Sequence, residues 1–371
     1  MNATGSPLAD VLSRLTREGT LADVLPDGAV RCYACGHNCF IPRGRPGVCK
    51  VRFNEDGVLR VPWGYVGALQ IDPIEKKPFF HAFPGSDALS FGMLGCDYHC
   101  AYCQNWITSQ AIRDPQAVAS PRRVAPEELT ALALEHRAPV MVSTYNEPLI
   151  TSEWAVAVFR EARRAGIVTG YVSNGNGTER VLDYLEPHLT LYKIDLKGFD
   201  DRAYRKLGGT LEAVQRTLES VHRRGLWLEV VTLLVPGLND SDAELREAAG
   251  FLRDLSPDIP WHVTAFHRDY RMTGPRDTGV ETLLRAAAIG RREGLRHVYA
   301  GNLPGQVGDL EDTRCADCGA TVIARRGFHI RAMDLTAEGT CGRCRAPIPG
   351  VWSARARHPA PGVRGTSPVR S

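Results

Sequence analysis

Short apolar runs alternate with amphipathic stretches through the middle of the chain. The runs are residues 88–94, 139–145, 167–172, 189–196, 226–235, 262–266 and 297–299. Runs of this length read as strands and the segments between them as helices, so the alternation predicts parallel strands joined by helices. Helix starts are marked as well. Pro126 with Glu127 and Glu128 precedes Leu129, Leu132 and Ala133, and Ser241-x-x-Glu244 after the Pro236-Gly237 turn has the form of a capping box. The expected fold class is α/β, a full or partial (β/α) TIM-like barrel over residues 61–305. No G-x-G-x-x-G or Walker A sequence supports a nucleotide-binding fold, and no internal repeat is visible beyond the βα period.

In such an arrangement the loops after the carboxyl ends of the strands build the site. Here those loops are polar. The first run leads into Cys96, the second into Asn146-Glu147-Pro148, the third into Ser173-Asn174-Gly175-Asn176, the fifth into Pro236-Gly237 and the sixth into His267. In the fourth, Tyr192-Lys-Ile-Asp-Leu-Lys197, period-two alternation puts Lys193, Asp195 and Lys197 on one face. A charged inner face is either a set of buried ion pairs filling the barrel or a ligand-binding surface. A lone His267 would read as a core or surface histidine, and its place at a strand end is what makes it a candidate.

The eleven cysteines fall into groups of four, three and four. Cys96, Cys100 and Cys103 have the spacing C-x3-C-x2-C. Three thiolates can hold three irons of a [4Fe-4S] cube and leave the fourth iron open to a ligand, whereas an electron carrier is closed by four cysteines. A structural zinc site with His99 as fourth ligand is the other reading of that spacing. Cys32, Cys35, Cys39 and Cys49 lie in a segment rich in glycine, proline and arginine within residues 1–60, and four thiolates there suit zinc or a second iron-sulfur cluster. Cys315-x2-Cys318 and Cys341-x2-Cys344 read as a zinc ribbon or rubredoxin-like domain over residues 306–356. Residues 357–371 are rich in proline, glycine and charge, and a disordered tail is expected there.

With 371 residues and 43% hydrophobic content the chain can form one large core plus small appendages. A net charge of +3 from 45 basic and 42 acidic residues is too balanced to suggest a nucleic-acid or membrane-surface partner. The amino terminus lacks a basic and apolar leader pattern, and Glu229 interrupts the longest apolar stretch. The expected setting is cytoplasmic, where unpaired cysteines serve metal or redox chemistry.

Taken with these motifs, residues 88–302 resemble the radical S-adenosylmethionine (SAM) superfamily, and within it the activating enzymes of pyruvate formate-lyase. The amino-terminal four-cysteine segment, Thr144-Tyr-Asn-Glu-Pro148, Tyr192-Lys-Ile-Asp-Leu-Lys197 and the terminal C-x2-C pairs resemble the radical SAM member of the AmmeMemoRadiSam system over nearly the whole chain. The resemblance implies that Cys96, Cys100 and Cys103 hold a [4Fe-4S] cluster that cleaves SAM reductively to a 5'-deoxyadenosyl radical. It implies that Tyr102 lies near the adenine and that Asn146 and Glu147 replace a Gly-Gly-Glu turn that binds the SAM amino group. Ser173 and Asn174 would form a further polar turn, Asp195 and Lys197 would meet the SAM carboxylate or ribose, and His267 would edge the pocket. A flavodoxin or ferredoxin would supply electrons, Memo-like and AMMECR1-like proteins would be partners, and nucleic acid and membrane would not. The substrate would be a glycyl residue of a partner enzyme, or a small molecule or peptide. Outside enzymes, the competing reading is a zinc-binding interaction module whose cysteines are all structural.

Overall fold

The computed structural model describes residues 7–117 and 121–353, so the expected tail at 357–371 lies outside the described residues. Its centre is an eight-stranded sheet: β1 (Ala68–Pro73), β2 (Asp87–Gly92), β3 (Val140–Ser143), β4 (Val168–Ser173), β5 (Leu191–Asp195), β6 (Trp227–Leu234), β7 (Trp261–Ala265) and β8 (Val298–Gly301). The strands are ordered in space as in sequence. Every pair from β2 to β8 is parallel, and β1 runs antiparallel to β2. Among the described strands β1 and β8 do not pair with each other, and the ladder is open at that seam.

Burial explains why these strands form. All four residues of β3 are buried, as are seven of the eight in β6, which fits a parallel sheet covered by helices. The covering helices are α1 (Pro126–Glu135), α2 (Ser152–Arg164), α3 (Glu179–Leu185), α4 (Leu211–Arg223), α5 (Asp242–Leu255) and α6 (Val280–Arg292). On α4, Ala213, Val214, Thr217, Leu218 and Val221 recur at helical spacing and are buried. Its start is fixed by the Thr210 hydroxyl, which accepts from the Ala213 N–H at 3.3 Å. At α5, Ser241 caps the helix as expected, accepting from the Glu244 N–H at 3.3 Å. The expected capping box does not close, because the Glu244 carboxylate accepts from the Phe199 N–H at 2.6 Å and ties the loop after β5 to the helix start.

Toward the amino ends of the strands, Glu229 of β6 is fully buried and accepts from the Phe80 and His81 N–H groups and from Trp227 Nε1, each at 2.9 Å. His262 Nε2 lies 2.8 Å from the same carboxylate. Removing the carboxylate strands several buried donors. Glu229→Ala is therefore expected to cost about 3 kcal/mol of stability, read as a lower urea midpoint. An unchanged midpoint would show that the carboxylate does not hold this corner.

Two small three-stranded sheets, one of Thr16–Glu18, Val58–Pro62 and Phe53–Glu55 and one of Ala22–Val24, Val30–Cys32 and Phe40–Ile41, precede the main sheet. Arg52 and Glu153, both buried, join this region to α2 through two 2.7 Å hydrogen bonds. A carboxyl-terminal sheet of Thr313–Arg314, Thr321–Arg326 and His329–Met333 packs against the core through Arg325. Its guanidinium donates to Phe80 O at 2.8 Å and to Thr313 Oγ1 at 2.7 Å, and lies 4.4 Å from the centre of the Phe80 ring. No described helix is long and apolar enough to cross a membrane.

Candidate functional site

The three-cysteine loop leaves the carboxyl end of β2 at a crowded point. A Cβ on Gly92 would lie 2.2 Å from Thr144 O, so only glycine lets the ends of β2 and β3 approach this closely. Beyond it, the loop is pinned along its length. His99 N–H donates to Leu207 O at 2.9 Å, Arg271 N–H to Ala101 O at 3.0 Å, and Arg113 Nη2 to Cys96 O at 2.9 Å. Gln110 Nε2 donates to Tyr98 O at 3.1 Å, and Cys103 Sγ lies 3.1 Å from Ser109 Oγ.

Cys100 and Cys103 line a cavity of 420 Å³ together with Tyr102, Lys193, Asp195 and Lys197. The face expected from period-two alternation thus meets the cysteine loop across one space. Lys193 pairs with one oxygen of Asp195, and Lys197 Nζ lies 3.3 Å from the other. Burial would raise the Asp195 carboxyl, but the charges and hydrogen bonds of the two lysines outweigh it and hold it down to about 2. Burial pushes the Cys100 thiol up to about 11, while Lys197 pulls it the other way. Three sulfur donors on one loop, one of them buried beside an ammonium, fit a cluster held by thiolates.

Glu147, Ser173 and Asn174 are brought together, but none of them lines that cavity. The Glu147 carboxylate is buried and accepts from Ser173 Oγ at 2.7 Å, from Asn174 N–H at 2.7 Å and from Leu149 N–H at 3.0 Å. Asn174 Nδ2 and Asn176 Nδ2 each donate to Asp97 at 2.8 Å. Burial, and then the charge of Asp97, push the Glu147 carboxyl up to about 8 against its three hydrogen bonds. A proton on Glu147 near neutral pH relieves the repulsion between two buried carboxylates. Asn146 accepts from Met93 N–H at 3.1 Å and so fixes the exit of β2. The polar turns after β3 and β4 therefore support the cysteine loop through Asp97, the residue that follows Cys96.

His267 lies apart from these groups. It is exposed and lines a second cavity of 690 Å³, which shares Gln104, Asn302 and Phe328 with the first. Sequence reasoning missed Asp97 and Lys77, and placed Asn176 in the polar turn without giving it a role. Lys77 is buried, pairs with Asp72 Oδ1 at 2.7 Å and donates to Tyr145 Oη at 3.0 Å, while lining the first cavity. Tyr145 holds φ at +70°, a conformation that a bulky residue adopts at a cost in energy and that clusters at functional sites.

Cys315, Cys318, Cys341 and Cys344 have all four sulfurs within 4.8 Å of one another, with Cys315–Cys344 at 3.6 Å and Cys318–Cys341 at 3.7 Å. A tetrahedral ion with bonds of about 2.3 Å needs sulfurs about 3.8 Å apart. These cysteines fit a single ion. The amino-terminal four do not form so tight a group among the described residues, though Cys32, Cys35 and Cys49 are buried and Cys39 is half-buried. Their segment touches the three-cysteine loop: Gly36 N–H donates to Asn176 O at 2.8 Å, and His37 Nε2 lies 4.0 Å from Asp97.

The radical SAM superfamily model matches residues 92–251. An uncharacterized protein of Methanocaldococcus jannaschii is 37% identical over 324 residues, which is 87% of this chain and 95% of that one. A pyruvate formate-lyase-activating enzyme of Staphylococcus epidermidis is 25% identical over 190 residues, 47% of this chain and 72% of the enzyme. Among solved structures, a domain of pyruvate-formate lyase-activating enzyme from Bacteroides vulgatus aligns with a TM-score of 0.39 at 18% identity, covering 43% of this chain and 98% of the domain.

Proposed function

Because this chain belongs to the radical SAM superfamily, with distant similarity to pyruvate formate-lyase activating enzymes, we propose that Cys96, Cys100 and Cys103 hold a [4Fe-4S] cluster and that SAM occupies the 420 Å³ cavity beside it. A reduced cluster held by these cysteines would supply the one electron needed to cleave SAM reductively to methionine and a 5'-deoxyadenosyl radical able to take a hydrogen atom from a substrate. The observation that carries this reading is the meeting of Cys100 and Cys103 with Tyr102, Lys193, Asp195 and Lys197 around one cavity. An aromatic face, a carboxylate and two ammonium groups suit a ligand that carries an adenine, a ribose, an amine and a carboxylate. The protein's part is to bind, orient and exclude water.

Under this reading Asp195 and Lys197 contact SAM. Glu147, Ser173, Asn174 and Asn146 act from beneath, holding Asp97 and the exit of β2. The carboxyl-terminal cysteines hold zinc, and the amino-terminal four hold zinc or a second cluster. The setting is that of the AmmeMemoRadiSam system, with Memo-like and AMMECR1-like partners and a flavodoxin or ferredoxin as electron donor.

The test is anaerobic reconstitution with iron and sulfide, addition of SAM and dithionite, and mass-spectrometric quantification of 5'-deoxyadenosine. A brown protein that forms it supports the reading; a colourless zinc-only protein that forms none overturns it. For the terminal site, Cys341→Ser is expected to lose one equivalent of bound metal and to lower the first thermal transition. Full metal content with an unchanged transition would refute the metal role.

A further inference from the structure

The 690 Å³ cavity lies between the end of β8 and the hairpin of Thr321–Arg326 and His329–Met333. Arg326 and His329 are directly paired across that hairpin, and Arg331 is the residue left unpaired at the register shift between the Arg325–Ile330 and Ala324–Ala332 pairs. All three line the cavity. The neighbouring Arg325, on the other face, is the buried residue that anchors the hairpin to Phe80 and Thr313.

Arg326 and Arg331 are exposed, and neither has a salt bridge or a side-chain hydrogen bond among the described residues. Glu311, the acidic residue at this cavity, forms no salt bridge with either of them among the described residues. Both oxygens of Glu311 are taken by backbone, accepting from the Gly305 N–H at 3.0 Å and the Gly327 N–H at 2.8 Å, which fixes the hairpin turn. The remaining walls include the aromatic rings of Phe80 and Phe328. Phe328 is 40% exposed and stands at the boundary, lining this cavity and the first.

We propose that this chamber binds the substrate of the reaction, a molecule with an apolar body and an anionic head, carboxylate or phosphate, held by Arg326 and Arg331. This rests on the radical SAM reading for the chemistry but on separate residues for the binding. The head lies at the hairpin and the body along Phe80 and Phe328. The far end passes Gln104 and Asn302 into the 420 Å³ cavity, where Cys103 immediately precedes Gln104. A chamber of this volume falls in the range of small-molecule sites, about 300–1,000 Å³, and two free guanidinium groups beside aromatic faces are the chemistry that recognises a planar or tetrahedral anion.

The experiment is calorimetric titration of the reconstituted full chain with phenyl phosphate, phenylacetate and the uncharged benzyl alcohol. At least one anion is expected to bind, benzyl alcohol at least about tenfold more weakly, and the preferred anion identifies the head. In Arg326→Ala/Arg331→Ala the anion is expected to lose about tenfold or more in affinity, and Arg331→Lys, which keeps a charge, to lose less. Binding of neither anion, or anion binding untouched by the double substitution, overturns the proposal. Because the titration needs no SAM cleavage, the two readings fail separately. A protein that makes 5'-deoxyadenosine but binds neither anion loses only the chamber. One that binds an anion through Arg326 and Arg331 but makes no 5'-deoxyadenosine keeps the chamber and loses the radical chemistry.

Discussion

Cys100→Ala is expected to abolish 5'-deoxyadenosine formation and cluster loading while leaving the sheet folded. Cys100 is the buried cysteine of the three, it lines the 420 Å³ cavity, and its sulfur sits near Lys197. Without it two thiolates remain, too few to hold three irons of a cube. The structural cost is small, since replacing the thiol by a hydrogen removes a single heavy atom, on the order of 1 kcal/mol. Iron content, the broad visible absorption of the cluster and 5'-deoxyadenosine should all fall to background, and the thermal transition should move by only about 4 °C or less. Persistent SAM cleavage by this variant would remove the cluster assignment. Loss of cleavage together with loss of the folded state would point to a structural role for the sulfur.

The parts of the molecule that were legible in the sequence share a physical reason. β3 and β6 are buried almost throughout, so selection for apolar residues leaves continuous runs that can be read directly. β1 could not be read that way. Five of its six residues are half-buried and one is exposed, and its pairing with β2 depends on a connection containing the short turn Ile74–Lys76. The cysteine loop and the Lys193, Asp195 and Lys197 face were legible because each is local, fixed by spacing or by strand period. What supports the loop was not. The contacts of Asp97 with Asn174 and Asn176 span 77 and 79 residues, and the partners are ordinary polar residues whose meaning comes only from the fold. The available signal was position: Asp97 follows Cys96, the first cysteine of the C-x3-C-x2-C loop, and Asn176 ends the polar turn after β4. The hairpin arginines were equally silent, because a lone exposed arginine in sequence is indistinguishable from a solvated one until the fold brings Arg326, His329 and Arg331 to one cavity.

Asp195→Asn is expected to lower kcat/KM for SAM by about 100-fold, about 2.8 kcal/mol, because the carboxylate proposed to meet the ligand is lost and the two lysines it orients are released. The side chain holds Lys193 and Lys197 in place, and its loss leaves two ammonium groups facing each other in a cavity. Adding Lys193→Met to Asp195→Asn should therefore cost less than the sum of the single changes, as expected for residues acting as one unit. Strict additivity would show that Asp195 meets the ligand independently of the lysine. Stability gives a second reading with a fixed sign. The Asp195 carboxyl falls from its ordinary 3.8 to about 2 in the folded protein, so the folded state binds fewer protons than the unfolded state between those values. Its contribution, about 2 kcal/mol, is fully present above pH ~4 and is lost as the pH falls through ~2. The urea midpoints of the wild-type and Asp195→Asn proteins should accordingly differ most near neutral pH and converge on acidification. A gap that stays constant from pH 6 to pH 2.5 would mean that the two lysines do not stabilise the ionised carboxylate.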